Sequence, residues 1–177
     1  GNISARDGKG KLVLMYAAES EAAINLINIV KEIPEFEINV KDNLGRTALM
    51  YAVGGPYNQT IKQQRLIQHS AKVEDKDNNG KTVLMYAVGN PYARVDAPAV
   101  AELLGYDVNV NATDNNGANA LMYAAANPNA GTAVIEILLD KKADINAKDT
   151  QAKTVLMYAA ESGDISKFKL LMQKGAK

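Results

Sequence analysis

Catalytic or metal chemistry in this chain would have to come from very few residues. His69 is the only histidine and stands between Gln68 and Ser70. One histidine builds no multi-histidine metal site, and nothing around it recommends a triad. Cysteine is absent, which removes disulfides, thiolate metal sites and cysteine nucleophiles. Asp75-Lys76-Asp77 is the nearest approach to an acidic cluster and reads as a solvated turn. Gly54-Gly55 is not a phosphate-cradling loop, and no other glycine-rich motif offers one. The expectation is a protein that is not an enzyme and carries no metal or cofactor.

What remains is the chemistry of recognition. Gly54-Gly55-Pro56-Tyr57, Gly89-Asn90-Pro91-Tyr92 and Ala126-Asn127-Pro128-Asn129 read as loops, and the third unit runs on through Arg94, Asp96 and Pro98. Tyrosine is favoured at interaction hot spots, and loops on a rigid scaffold are where binding residues gather. Tyr57, Tyr92, Asn90 and Asn127 are therefore candidate partner-binding residues; the alternative for each tyrosine is packing that stiffens its loop. Lys11, Arg46, Lys81 and Lys153 each follow a turn, with Ala118 as the exception. Arg46, Lys81 and Lys153 are the second group of candidates. They form either a basic strip that steers an acidic patch or peptide, or a set of solvated side chains.

The elements that position these residues follow from an internal repeat. Leu-Met-Tyr-Ala occurs at Leu14, Leu49, Leu84, Leu121 and Leu156, with intervals of 35, 35, 37 and 35 residues. A fixed period of this size marks a stacked-repeat architecture. The turns Asp42-Asn43-Leu44-Gly45, Asp77-Asn78-Asn79-Gly80 and Asp114-Asn115-Asn116-Gly117 precede the motif. Asn and Gly both tolerate the positive φ that tight turns need. Thr47, Thr82, Asn119 and Thr154 stand where helix N-caps belong. Beyond each cap the apolar residues, such as Leu49, Ala52 and Val53, recur at i, i+3, i+4 on a short helix. Alanine at the same place in every copy predicts a close helix–helix approach. A second amphipathic helix follows, as in Val134-Ile135-Ile137-Leu138-Leu139, and then an extended return such as Ile145-Asn146-Ala147-Lys148-Asp149.

Gly80-Lys81-Thr82-Val83-Leu84-Met85-Tyr86-Ala87 resembles the ankyrin motif Gly-x-Thr-Pro-Leu-His-x-Ala, and Leu138 to Asp149 resembles the end of an ankyrin second helix. The resemblance covers nearly the whole chain. It implies an all-α solenoid of helix–turn–helix repeats, with copies at about 7–41, 42–76, 77–113, 114–148 and 149–177. It also implies turns that project like fingers beside a concave face lined by first helices. Val or Ala replaces the family's proline, and Met replaces the histidine that ties neighbouring loops together. Tyr16, Tyr51, Tyr86, Tyr123 and Tyr158 share one helical site. They are either an aromatic strip for a partner or scaffold residues whose hydroxyls bond to the loops in place of that histidine. Identity in every copy favours the scaffold. The end copies carry Leu12 for Thr and Ala152 for Gly, as repeats facing solvent do.

Lys plus Arg and Asp plus Glu both number 20, giving zero net charge, so a nucleic-acid partner is not expected. No window reaches the eighteen apolar residues of a membrane span. The chain opens with Gly1-Asn2-Ile3 in place of Met, so a removed upstream segment, a secretory signal included, stays open; the C-terminal residues read as a natural helix end. The predicted function is a monomeric module that binds a protein or peptide through its concave face and inner loops. The first alternative is an accessory or protective factor for a specific enzyme, exported as bacterial ankyrin-like proteins can be. The remote one is a small-ligand or hydrolase site at the insert loops.

Overall fold

A computed structural model describes residues 3–21, 23–56, 59–91 and 95–177. Among them the chain forms ten short α-helices in five successive pairs: α1 (Val13–Glu19) and α2 (Ala23–Glu32), α3 (Ala48–Gly54) and α4 (Gln59–Gln68), α5 (Val83–Val88) and α6 (Ala97–Leu103), α7 (Ala120–Ala126) and α8 (Thr132–Asp140), α9 (Val155–Ser162) and α10 (Ile165–Gln173). Each first helix packs on the next first helix and each second helix on the next second helix. The result is two helical layers joined within each pair, the arrangement of a repeat solenoid.

The first helices start where their caps allow. The side chains of Thr47, Thr82 and Asn119 accept from the amides of Met50, Met85 and Met122 at 3.4, 3.2 and 3.0 Å. Thr154 departs from the expected pattern: its side chain makes no cap bond, and only its carbonyl receives Met157 and Tyr158. Ala17, Ala52, Ala87, Ala124 and Ala159 are all buried between the layers. Met15, Met50, Met85 and Met122 are also buried, whereas Met157, in the last described copy, is 50% exposed. At the other end Val13 and Tyr16 are exposed, although their counterparts Ala48 and Tyr51 are buried. The first and last copies thus present apolar side chains on their outer faces.

Turns stack as regularly as helices. The amides of Asn43, Asn78, Asn115 and Thr150 donate to the carbonyls of Lys9, Leu44, Asn79 and Asn116 in the preceding turn, at 2.9–3.0 Å. Asn43, Asn78 and Asn115 also donate from their side-chain amides to Gly8, Asn43 and Asn78 carbonyls at 3.3, 3.0 and 3.1 Å. This close stacking fixes the turn glycine. Gly45 has φ +78°, and a Cβ there would lie 2.7 Å from the Asn78 nitrogen. Ala152 occupies the same place in the last turn at φ +61°, exposed, with no further turn against it.

Left-handed backbone costs a non-glycine residue about 1–2 kcal/mol, partly offset by the greater unfolded-state freedom of glycine. Ala152→Gly is therefore expected to raise stability by about 0.5–1 kcal/mol in urea unfolding, and Gly45→Ala to lower it by at least about 2 kcal/mol. Equal effects at the two positions would contradict the stacked-turn explanation.

Candidate functional site

The side of the stack formed by the turns and first helices carries an unbroken strip of aromatic and charged groups, and the turn aspartates organise it. In every copy one carboxylate oxygen closes the turn. Asp77 Oδ1 accepts the amides of Asn79 and Lys81 at 2.9 and 2.8 Å, and Asp7, Asp42, Asp114 and Asp149 do the same at their own turns. The other oxygen accepts a tyrosine hydroxyl nine residues on. Tyr16, Tyr51, Tyr86, Tyr123 and Tyr158 donate to Asp7, Asp42, Asp77, Asp114 and Asp149 at 2.6–2.7 Å. The tyrosines serve the scaffold, and each is tied to the turn of its own copy. Ties between neighbouring turns come from the asparagine and backbone bonds above.

This arrangement shifts both partners. Burial first, then the bond to aspartate, raises Tyr158 to about 12 and Tyr51, Tyr86 and Tyr123 further. Burial pushes Asp42 up, but the Arg46 amide, the Tyr51 hydroxyl and the Arg46 charge outweigh it and hold the carboxyl below its ordinary value.

The turn cations lie against these rings. Lys11 Nζ sits 4.3 Å from the Tyr16 ring centre and 4.1 Å from that of Tyr51. Arg46 lies 4.7 Å over Tyr51, Lys81 lies 4.8 and 4.5 Å from Tyr86 and Tyr123, and Lys153 lies 4.6 Å over Tyr158. At about 0.5–2 kcal/mol per contact, Lys11 and Lys81 bind their own copy to the next, whereas Arg46 and Lys153 lie over rings of their own copies. Burial lowers the pKa of the Lys81 ammonium, opposed by the charges of Asp77 and Asp114.

The other sequence-predicted residues divide. Asn90 is 1% exposed, and its side-chain amide donates to the Gly55 carbonyl at 2.7 Å. Asn127 is also buried and donates to Val88 and Asn90 carbonyls at 2.9 and 2.8 Å. Both were expected as outward loop residues; instead they are rungs between consecutive inner loops, because a loop carbonyl in the stack needs a donor from the next copy. Tyr57 and Tyr92 lie outside the described residues, as does Arg94.

Two wholly buried lysines, Lys62 and Lys167, carry no signal that sequence reasoning found. Lys62 donates to the Ala18 carbonyl at 2.9 Å, and Lys167 donates to Asn127, Ala125 and Ala124 carbonyls at 2.6, 3.2 and 3.4 Å. Each ammonium donates to carbonyls at the end of the preceding copy's first helix, where the helix dipole favours a cation. Burial lowers the pKa of both. Among the described residues no group of three or more His, Cys, Asp or Glu could hold a metal ion, and no helix is long and apolar enough to cross a membrane.

A family model described as ankyrin repeats (three copies) matches residues 14–97 and 92–177. No curated protein matches the chain.

The tyrosine–aspartate bond is testable on its own. Tyr86→Phe leaves Asp77 Oδ2 without its donor and is expected to cost about 1–3 kcal/mol in urea unfolding at neutral pH. A hydroxyl whose folded pKa is raised stabilises fully below the unfolded value near 10 and loses that contribution as pH climbs through the folded value. The depressed lysines act in the opposite direction and are spent by about pH 10.5. Stability should therefore fall above about pH 10.5, and the tyrosinate absorbance that Tyr86→Phe removes should be absorbance the folded parent develops only above about that pH. If the absorbance that Tyr86→Phe removes is absorbance the folded parent already develops near about pH 10, the assignment is contradicted.

Proposed function

The chain belongs to the ankyrin-repeat family, whose repeats are protein–protein interaction modules, and from that premise we propose that it binds a protein or peptide across the face built by its turns and first helices. The observation that carries this reading is the rigidity of that face. Backbone and side-chain bonds tie each turn to the next, and the tyrosine of each repeated motif is bonded to its turn. A surface that is already ordered loses little entropy when a partner docks on it. The turn tips Leu44, Asn79 and Asn116 are exposed in a row along it, and their side chains take no part in the turn bonds. Of the cations on this face, Lys81 is the one we assign to the partner. Arg46 and Lys153 belong to the same strip, but Arg46 is paired with Asp42 and Lys153 with Glu161. From the sequence, Tyr57 and Tyr92 join the surface as loop anchors beside Pro56 and Pro91.

Capture from the source organism's lysate and envelope fractions tests the reading. Leu44→Glu, Asn79→Glu and Asn116→Glu together alter the turn tips; Asn28→Glu, Ala101→Glu and Ala133→Glu alter exposed positions of the second helices. A partner held by the parent is expected to be lost by the first variant and kept by the second. Loss with the second variant and retention with the first would move the interface to the opposite side.

A further inference from the structure

The position nine residues after the turn glycine, at the end of each first helix, varies together with the turn cation. In the first and last copies the pair is Lys11 with Glu19 and Lys153 with Glu161, each closed at 2.7 Å. In the fourth copy both charges are missing, with Ala118 and Ala126 in their places. The second and third copies keep the cation and put glycine, Gly54 and Gly89, where the carboxylate would start. Arg46 makes up the loss with Asp42, at 3.0 Å. Lys81 does not. Among the described residues its ammonium has no ion pair and no hydrogen-bonded acceptor, though it is half-buried and held between two tyrosine rings.

We propose that Lys81 is a carboxylate-binding site: an acidic side chain of a partner peptide docks on its ammonium, in the place that Glu19 and Glu161 fill at the ends of the stack. The proposal rests on the interaction reading above and supplies the chemistry of the partner. The carboxylates of Asp77 and Asp114 do not pre-empt the site. Each is already engaged by two turn amides and a tyrosine hydroxyl, and neither comes within ion-pair distance of Lys81. The end copies carry the same aspartate and still close a Lys–Glu pair, so the cation has a binding position left over after the aspartate is satisfied. The rings of Tyr86 and Tyr123 hold the ammonium in place, which lowers the ordering cost of pairing it. Tyr86 also lines a groove of about 230 Å³ together with Glu19, Arg46, Tyr51, Gly54 and Pro56, which a neighbouring uncharged side chain of the same peptide would enter.

Fluorescence anisotropy with labelled octaglutamate at low ionic strength tests the site, with octaglutamine as the neutral counterpart. The parent is expected to bind octaglutamate and not octaglutamine. Lys81→Met should weaken binding at least about tenfold, the cost of one charge-assisted contact. Lys81→Arg should retain it. Lys153→Met removes the same formal charge from a paired lysine and should change affinity less than about twofold, which separates the site from general charge attraction. Urea midpoints of the variants show that each is folded. Equal loss with Lys81→Met and Lys153→Met, or full binding by Lys81→Met, would overturn the proposal. So would the absence of octaglutamate binding by the parent; if the turn-tip variant still loses a captured partner, only the acidic chemistry falls and the interaction face stands.

Discussion

The turn aspartate is the group on which the rest of the molecule depends. Its first oxygen gathers the amides two and four residues on, which fixes the turn; its second holds the tyrosine hydroxyl nine residues on, which fixes the first helix against that turn. A repeat this short has helices of six to ten residues, below the length at which an isolated helix is stable in water. Orientation must therefore come from outside the helix, and one carboxylate supplies it in every copy. Because the tyrosine ring is held, the cation after the turn glycine has a fixed aromatic surface to lie on. Because the turn is held, its carbonyls can accept from the amides of the next turn. Stacking, aromatic strip and charge placement all follow from the same bond.

The sequence made the periodic part of this legible. Five copies of one tetrapeptide, glycine at the turn and threonine or asparagine at the cap are local signals, and the structure has the helices and turns that they imply. The tyrosine was legible as a scaffold residue for the same reason: nothing but the repeat itself is shared by all copies. Interactions between copies were harder to read. Asn90 and Asn127 sit beside proline in loops, which marks them as exposed in any one-copy view; only the stack shows a carbonyl of the preceding loop waiting for each amide. Lys62 and Lys167 break the apolar pattern of their helices, and a buried lysine has no signature until the helix end it caps is known. The turn cations were visible as a row, yet their burial against tyrosine rings depends on side-chain directions that spacing does not carry.

The ends and the middle of the stack solve different problems. At the ends the Lys–Glu pairs are closed within the chain, and the apolar surface that inner copies bury against a neighbour is left facing outwards at Val13, Met157 and Phe168. In the middle the stacking surface is satisfied on both sides, and polar groups on the turn face are left over. Arg46 and Lys81 stand in that middle part, next to loops longer than those of the terminal copies. Recognition by a repeat array is strongest where the scaffold is most rigid, since anchors there need no ordering; the central copies meet that condition and the terminal ones do so only on one side.

The glycines at the ends of α3 and α5 show how such a site arises from a repeat without any new residue type. A Cβ at Gly54 would lie 3.2 Å from the Tyr86 ring, and one at Gly89 would lie 3.0 Å from the Tyr123 ring. Glycine relieves that crowding, although Glu19 and Ala126 stand at the same position in the first and fourth copies, and with glycine there the carboxylate is absent. The cation on the turn is under no such constraint, because its ring contacts hold it whether or not a carboxylate is present. The absence of the carboxylate leaves a positive group positioned, partly dehydrated and unpaired. Placing an anion beside such a group forfeits less hydration than pairing two fully solvated ions, so the contact gains more than a surface ion pair does. The strip thus becomes selective at Lys81 through what the third copy lacks, while the bonds that keep it rigid are the same as in every other copy.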